Sequence, residues 1–218
     1  MKGVYFGDIH SYNNLNLILS AVDIPPAKPK TNYVDIPGTD GSVDLTEANG
    51  EVKFYDRDCK FTFTMNPSGN LSDAAWEEKK TEVSNALNGR VFKITLEKDS
   101  DFYYLGRCTV NGFLSNKRLR QIVVNAKVQP YKFMQTETVA EFELSEEEQT
   151  INIVNSRKSV CPTIECTGDN TKITFGAVSL AVNAGTHKFL DIIFTEGVNT
   201  LKLSGTGTIT FKFQEGAL

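Results

Sequence analysis

Residues 33–47 read Tyr-Val-Asp-Ile-Pro-Gly-Thr-Asp-Gly-Ser-Val-Asp-Leu-Thr-Glu. This stretch predicts a strand that runs into a Pro-Gly turn, then an Asp-Gly turn, and then the start of a second strand. Pro37 stops any helix, and Gly38 and Gly41 can adopt the positive φ that tight turns require. By itself the stretch therefore predicts β-structure interrupted by turns.

The composition of the 218-residue chain fits one large or two small globular domains. Hydrophobic residues make up 40% of it, which is enough for a buried core. The net charge of −4 argues against a protein that binds nucleic acid or anionic membranes through bulk positive charge. The N-terminus lacks the apolar core of a signal peptide, and the run from Leu15 to Val22 is too short to span a bilayer. We therefore expect a soluble protein made in the cytoplasm.

Alternation of apolar and polar residues, which is typical of half-buried strands, dominates the first 130 residues. From Asp58 to Met65 every odd position is apolar and every even position is polar. The same period of two returns from Phe92 to Glu97 and from Ile122 to Gln129. Turn signals such as Asn88-Gly89 separate the runs.

One segment has helical periodicity instead. From Asp73 to Asn88 the apolar residues recur at helical spacing, namely Trp76, Val83, Ala86 and Leu87. Ser72 or Asp73 can cap the start, and Gly89 can close the end in the left-handed conformation. The sequence thus predicts a single amphipathic helix, anchored on a sheet by the only tryptophan of the chain.

The second part of the chain has a different organisation. Strand patterning stops at Pro130 and a polar stretch follows, which predicts a domain boundary between Pro130 and Val139. Beyond it, apolar runs of β type recur at intervals of about ten residues with no helix between them. This pattern favours an antiparallel β-sandwich.

The search for catalytic chemistry finds no convincing site. The two histidines, His10 and His187, fall in different predicted domains and are expected at the surface or in turns. The four cysteines (Cys59, Cys108, Cys161 and Cys166) have no secretion signal before them and no Cys-x-x-Cys spacing, so we expect reduced, packed thiols. We predict no catalytic residues, no cofactor, no metal site and no enzymatic activity.

Two kinds of binding site can be considered from the sequence, one for nucleic acid and one for sugars. Lys117-Arg118-Leu119-Arg120 is a compact basic patch that could touch nucleic acid or form a charged hairpin turn, and the net negative charge favours the turn. A sugar site normally stacks an exposed aromatic ring on the sugar. The C-terminal part of the chain contains no Trp and no Tyr after Tyr131. It therefore has little of the chemistry that sugar binding uses.

The order and spacing of several motifs resemble the distal tail protein family of long, non-contractile-tailed bacteriophages. The resemblance covers roughly the first 133 residues motif by motif and the remainder more loosely. Its motifs are Phe6-Gly7, Ala27-Lys28-Pro29-Lys30, residues 33–47, Tyr55-Asp56-Arg57-Asp58, Leu87-Asn88-Gly89-Arg90, Tyr103-Tyr104-Leu105-Gly106-Arg107 and Pro130-Tyr131-Lys132. Later runs, from Gly197 to Leu201 and from Phe211 to Gly216, look like the galectin-like β-sandwich found as the second domain of these proteins.

The resemblance implies a mainly β fold with one helix. Residues 1–133 would form a β-sandwich or split-barrel-like domain with the helix packed on it, and residues 134–218 a galectin-like β-sandwich. The first domains would assemble into a homohexameric ring at the tail tip of the virion, with a lumen for DNA passage. The implied partners are further copies of this chain, the tail-tube protein on one face, and a tail-associated lysin or fibre-bearing hub of the baseplate on the other. The alternative function is a carbohydrate-binding, receptor-recognition component of the tail.

A ring of identical subunits needs an interface between two different patches. The segment from Ile24 to Thr46 is too polar for a core and too long for a minimal turn, and its prolines favour an extended arm. We predict that this arm contacts the neighbouring subunit. Its alternative is a long surface loop without a partner. The residues assigned to the arm are Ile24, Pro25, Pro26, Pro29, Asp35, Pro37, Gly38, Asp40 and Gly41.

Overall fold

The structure is a computed structural model that describes residues 3–48, 50–67, 72–115 and 119–218. The described residues form 18 strands and one helix, and they divide into two compact units. The first unit reaches to Lys132 and includes Leu218, and the second comprises Phe133–Ala217. No helix in this described part of the chain combines the length and hydrophobicity needed to cross a membrane.

The elements up to the unit boundary are β1 (Val4–Phe6), β2 (Ile9–His10), β3 (Leu17–Asp23), β4 (Tyr33–Asp35), β5 (Ser42–Asp44), β6 (Arg57–Met65), α1 (Asp73–Leu87), β7 (Val91–Leu96), β8 (Asp99–Ser115) and β9 (Arg120–Met134). The later strands are β10 (Thr138–Glu143), β11 (Gln149–Asn155), β12 (Thr163–Cys166), β13 (Thr171–Phe175), β14 (Val178–Val182), β15 (Gly185–His187), β16 (Gly197–Ser204), β17 (Thr208–Phe213) and β18 (Gly216–Ala217). The prediction of a mainly β fold with one helix is confirmed.

The first unit is built on one sheet with the strand order β2-β1-β7-β8-β9-β6-β3. Its core lies on one face of this sheet, as the alternation from Asp58 to Met65 predicts: Cys59, Phe61 and Phe63 on β6 are all 1% exposed or less. The ring of Phe6 on β1 meets those of Phe61 and Phe63 edge-on, with centroids 5.8 and 6.1 Å apart. Edge-to-face contacts of this kind add stability beyond the buried apolar area.

Helix α1 closes one side of this core. The hydroxyl of Ser72 accepts a hydrogen bond from the backbone N–H of Ala75 at 3.2 Å, which caps the N-terminus as predicted. Trp76, Val83 and Leu87 are buried. The helix ends one residue earlier than predicted because Asn88 has extended backbone angles and acts as the C-cap.

Strand β9 continues through Pro130, where the sequence analysis ended the strand pattern. Proline interrupts a sheet by lacking a backbone donor. The ladder between β6 and β9 already ends at the pair Arg57 and Val128, so no bond to β6 is lost at Pro130. The carbonyl of Pro130 instead accepts a hydrogen bond from Nε of the buried Arg57 at 2.7 Å.

The second unit contains two four-stranded sheets, with the orders β10-β17-β12-β15 and β11-β16-β13-β14. Apart from the adjacent pair β13 and β14, successive strands alternate between the sheets in a pattern of two Greek keys, which is the topology of an eight-stranded jelly roll. Both sheets contribute side chains to one core, including Ile164, Phe211, Ile173 and Leu201, all fully buried. The antiparallel sandwich expected for this part of the chain is therefore present.

Two glycines of β8 provide a matched test of the sheet. A Cβ at Gly106 would lie 2.6 Å from the backbone Cα of Val128 and in contact with the carbonyl oxygen of Lys127, whereas a Cβ at Gly112 would meet no atom within 4 Å. We expect Gly106→Ala to destabilise the first unit by about 1–3 kcal/mol, because backbone atoms cannot move aside cheaply. Gly112→Ala should leave stability unchanged or slightly raised.

The measurement is urea unfolding followed by the fluorescence of Trp76, the only tryptophan, which reports on the first unit. Equal midpoints for the two variants would show that β8 and β9 do not approach as closely as described.

Candidate functional site

The segment predicted as an arm leaves the first unit between two neighbouring strands. Strands β3 and β6 pair antiparallel from Leu17 with Met65 to Asp23 with Lys60, and residues 24–56 connect them. The two legs of this connection stay together beyond the sheet. The N–H of Lys30 donates to the carbonyl of Lys53 at 2.7 Å, and the N–H of Tyr55 donates to that of Lys28 at 2.9 Å. The arm is therefore an extension of the β3–β6 hairpin.

Aromatic contacts hold the base of the arm. Phe54 lies edge-on to the ring of Tyr131 at a centroid distance of 5.9 Å. The ammonium group of Lys30 lies 5.3 Å from the centre of the Tyr55 ring. Because Phe54 sits on one leg and Tyr131 on β9, this ring pair joins the arm to the sheet of its own unit.

The far end of the arm is a small hairpin made of β4 and β5. Val34 pairs with Val43, and Asp35 pairs with Ser42, whose hydroxyl donates to the Asp35 carboxylate at 2.6 Å. Gly38 and Gly41 have φ values of 88° and 74° in the connecting turns, as the sequence requires. The backbone N–H of Leu45 closes the base of this hairpin on the carbonyl of Asn32 at 2.8 Å.

The residues assigned to the arm fall into three groups. Ile24 and Pro25 are half-buried at the root, where Ile24 packs against the core of the first unit. Pro26 is exposed, and Pro29, also exposed, forms a bridge with Phe54. Asp35 ends β4, and the remaining four occupy the turns between β4 and β5 (Pro37, Gly38, Asp40 and Gly41).

Apolar side chains on the arm are exposed to an unusual degree. Every residue from 28 to 45 is exposed, and the side chains include Tyr33 (59%), Val34, Ile36, Val43 and Leu45. An isolated two-stranded hairpin is marginally stable in water. Contiguous exposed apolar surface in a soluble protein commonly marks an interaction site.

The arm also carries a concentrated negative charge. Residues 31–52 contain five carboxylates and no lysine or arginine: Asp35, Asp40, Asp44, Glu47 and Glu51. Hydrogen bonds from the hydroxyl and the backbone N–H of Thr46 lower the pKa of Asp44. The arm therefore combines apolar contact area with a cluster of carboxylates.

The segment predicted as an arm, Ile24 to Thr46, covers only the first part of this structure. The returning leg, Lys53 to Tyr55, lies beyond the predicted end at Thr46, as does its contact with Tyr131. The sequence does contain one signal for this returning leg. The stretch without basic residues continues to Val52, and the next strand pattern begins only at Asp58, which indicates that the connection extends past Thr46.

Each of the two histidines has defined packing partners within its own unit. His10 is buried, contrary to expectation: its Nδ1 accepts a hydrogen bond from the N–H of Asn13 at 3.1 Å and its Nε2 lies 3.3 Å from a Glu97 oxygen. His187 stacks on Phe189 in the second unit. Across the described ranges, no group of three or more His, Cys, Asp or Glu side chains could hold a metal ion.

Two of the four cysteines are unsuited to nucleophilic chemistry. All four are free thiols, and Cys59 and Cys108 are buried in the first core. Burial raises the pKa of Cys59 to about 11 and that of Cys108 to about 12. Since the thiolate is the reactive form, these two groups stay protonated and inert at neutral pH.

The basic patch is only partly described, because Lys117 and Arg118 lie outside the described residues. Arg120 does not project freely. Its guanidinium bonds the Asp73 carboxylate at 2.6 Å and the Ser72 carbonyl at 2.7 Å, and it lies 5.8 Å from the centre of a Trp76 ring. This part of the patch therefore secures the start of α1.

The fold is shared with the crystal structure of the SPP1 Dit protein, presented as a paradigm of the hub adsorption apparatus in phages that infect Gram-positive bacteria. The two structures match over 100% of both chains with a TM-score of 0.72 and 13% sequence identity. The resemblance to distal tail proteins is thereby confirmed at the level of the fold. No protein-family model and no curated protein sequence matches this chain.

Shortening the arm tests whether it contributes to the stability of its own unit. Replacing residues 31–52 by Asn-Gly joins Lys30 to Lys53 through a two-residue hairpin turn. We expect the free energy of unfolding, measured by urea and Trp76 fluorescence, to change by less than about 0.5 kcal/mol, because few of the removed side chains are buried. As a contrast, Phe54→Ala should cost at least about 1 kcal/mol, since it removes the contact with Tyr131. A large loss in the shortened variant would show that the arm belongs to the core.

Proposed function

We propose that this chain is a structural protein of a phage tail tip, where it joins the tail tube to the baseplate or adsorption apparatus. The observation that carries the proposal is the fold match to the SPP1 Dit protein over the full length of both chains. A match that extends through both units is more specific than a likeness of one β-domain, because single sandwich folds serve many unrelated functions.

In this proposal residues 1–133 form a homohexameric ring in the virion, and residues 134–218 form a galectin-like domain. The ring is an adaptor with a lumen for DNA, and it binds the tail-tube protein on one side and a tail-associated lysin or fibre-bearing hub on the other. The protein needs no cofactor or metal for this role and is not an enzyme. Its activity is to hold partners in a fixed geometry.

The arm supplies the contact between subunits in this proposal. Its exposed apolar side chains and its position on an extension of the β3–β6 hairpin suit a segment that reaches a neighbour. An arm that adds nothing to the stability of its own unit would be retained for contact with something else. A closed ring needs such a contact between unlike surfaces of identical chains.

Carbohydrate recognition is the alternative function, and the second unit gives it little support. No aromatic side chain among residues 133–217 is exposed, since each phenylalanine there is buried or half-buried. We expect the protein to bind no common mono- or disaccharide with a dissociation constant below about 1 mM. The measurement is a glycan array followed by titration calorimetry. Sub-millimolar binding that disappears when the chain is truncated after Phe133 would favour the receptor-binding function instead.

The ring is tested by mass photometry and negative-stain microscopy of the purified protein. We expect particles of six times the 24.2 kDa monomer mass, with sixfold averages and a central opening, in a concentration-dependent equilibrium with smaller species. The variant with residues 31–52 replaced by Asn-Gly should remain folded and monomeric under the same conditions. A parent protein that is monomeric over the whole concentration range, even with the tail-tube protein present, would contradict the proposal. Rings formed equally well by the shortened variant would contradict only the role of the arm.

A further inference from the structure

A second exposed surface of the first unit has the opposite charge to the arm. Strands β1, β7 and β8 are neighbours, and a few exposed positions on them alternate with core residues such as Phe6, Ile94 and Cys108, so they lie on the sheet face away from the core. Val91 pairs with Arg107, Lys93 pairs with Leu105, and Tyr5 pairs with Thr95. We call Tyr5, Val91, Lys93 and Arg107 the basic face. All four side chains are exposed.

The cations of the basic face are not neutralised by carboxylates. The ammonium group of Lys93 lies 4.6 Å from the centre of the Tyr103 ring, and the guanidinium of Arg107 donates to the carbonyl of Gly89. Within the described ranges, neither side chain forms an ion pair. By contrast, Lys79 and Lys80 on α1 both pair with glutamates. The basic face therefore keeps its positive charge available.

The basic face exposes apolar side chains next to its charged groups, as the arm does. Val91 is 50% exposed and Tyr5 is 37% exposed, next to the two cations. The arm presents Tyr33, Val34 and Ile36 together with carboxylates and has no cation between residues 31 and 52. The two surfaces are thus complementary both in charge and in the apolar area that each leaves exposed.

We propose that the acidic arm of one copy of this chain docks on the basic face of a second copy. This inference rests on the proposed function, and it assigns the two halves of the subunit interface. A contact between two different patches of identical chains is heterologous, so each copy can receive one arm and offer another, and repetition closes a ring. Charge complementarity fixes the partner and the register, while the apolar side chains supply buried area.

The test is a charge exchange in the full-length protein. The arm variant carries Asp40→Lys and Glu47→Lys, and the face variant carries Lys93→Glu and Arg107→Glu. Both acidic residues are exposed, and the carboxylates that bond within the described part of the hairpin are instead those of Asp35 and Asp44. Each variant should raise the concentration for half-assembly by at least about tenfold, because like charges then face each other. The combined fourfold variant should return to within about threefold of the parent, since opposite charges meet again.

Two control variants change charge elsewhere by the same amount. Lys60→Glu with Lys127→Glu alters β6 and β9 of the same sheet, and Glu141→Lys with Glu143→Lys alters β10 of the second unit; all four residues are exposed. Both controls should assemble like the parent. About 1 M salt, at which the Debye length is about 3 Å, should weaken the parent and reduce the difference between the variants.

The outcomes separate this inference from the proposed function. The docking pair is wrong if the arm variant or the face variant assembles as well as the parent. It is also wrong if the fourfold variant assembles less well than either of these variants. Neither result contradicts the proposed ring. If the control variants lose assembly as much as the arm and face variants do, the docking pair is also wrong. A parent protein that never assembles contradicts both proposals.

A cross-linking measurement does not depend on charge reversal. Benzoylphenylalanine in place of Ile36, which is 47% exposed near the end of the arm, should cross-link assembled subunits on illumination. Mass spectrometry should locate the bond in peptides that contain Val91 to Arg107. Intermolecular bonds confined to other strands, or to another protein or nucleic acid in preference to a second copy, would overturn the docking pair.

Discussion

The pairing of β3 with β6 is the contact on which both the fold and the arm depend. On the core side it brings Leu17 and Leu19 beside Met65 and Phe63, next to the ring of Phe6. Beyond the pair of Asp23 and Lys60, the two legs keep the same register out to the bridge between Pro29 and Phe54. A register shift between Leu19 and Ala21 interrupts the ladder shortly before the arm begins. Such irregularities bend a strand and increase its twist, and they commonly redirect the chain at sheet edges.

In the first unit, the residues that stabilise the fold are separate from those on the exposed arm and sheet face. Its core is apolar, with buried thiols held neutral and α1 capped at both ends. The exposed surfaces carry features that a self-contained domain does not need, namely apolar side chains on a narrow arm and, on a sheet face, two cations without an ion pair among the described residues. The proposed function would use such a separation of folding from contact, because loops and edges tolerate change better than the core.

The second unit has few features that indicate a particular ligand. Its net charge is negative, with six lysines and arginines against eleven aspartates and glutamates in residues 133–217. The jelly-roll topology occurs in lectins and in viral capsid proteins alike, so it does not by itself select a ligand. All of its aromatic rings serve the interior or the rim of the sandwich, as with Phe194 against Phe211 and Phe213.

The sequence alone determined the features that depend on short-range chemistry. Alternation from Asp58 to Met65 identifies the buried face of a strand, and Ser72 with the spacing of Trp76, Val83 and Leu87 identifies the helix, because these signals lie within a few residues of each other. Only the tertiary structure decided what distant residues do together. The meeting of Phe54 with Tyr131, the burial of His10 beside Glu97 and the continuation of β9 through Pro130 all depend on strand order. The basic face has no local pattern, since it is assembled from three strands whose pairing no short stretch of sequence specifies.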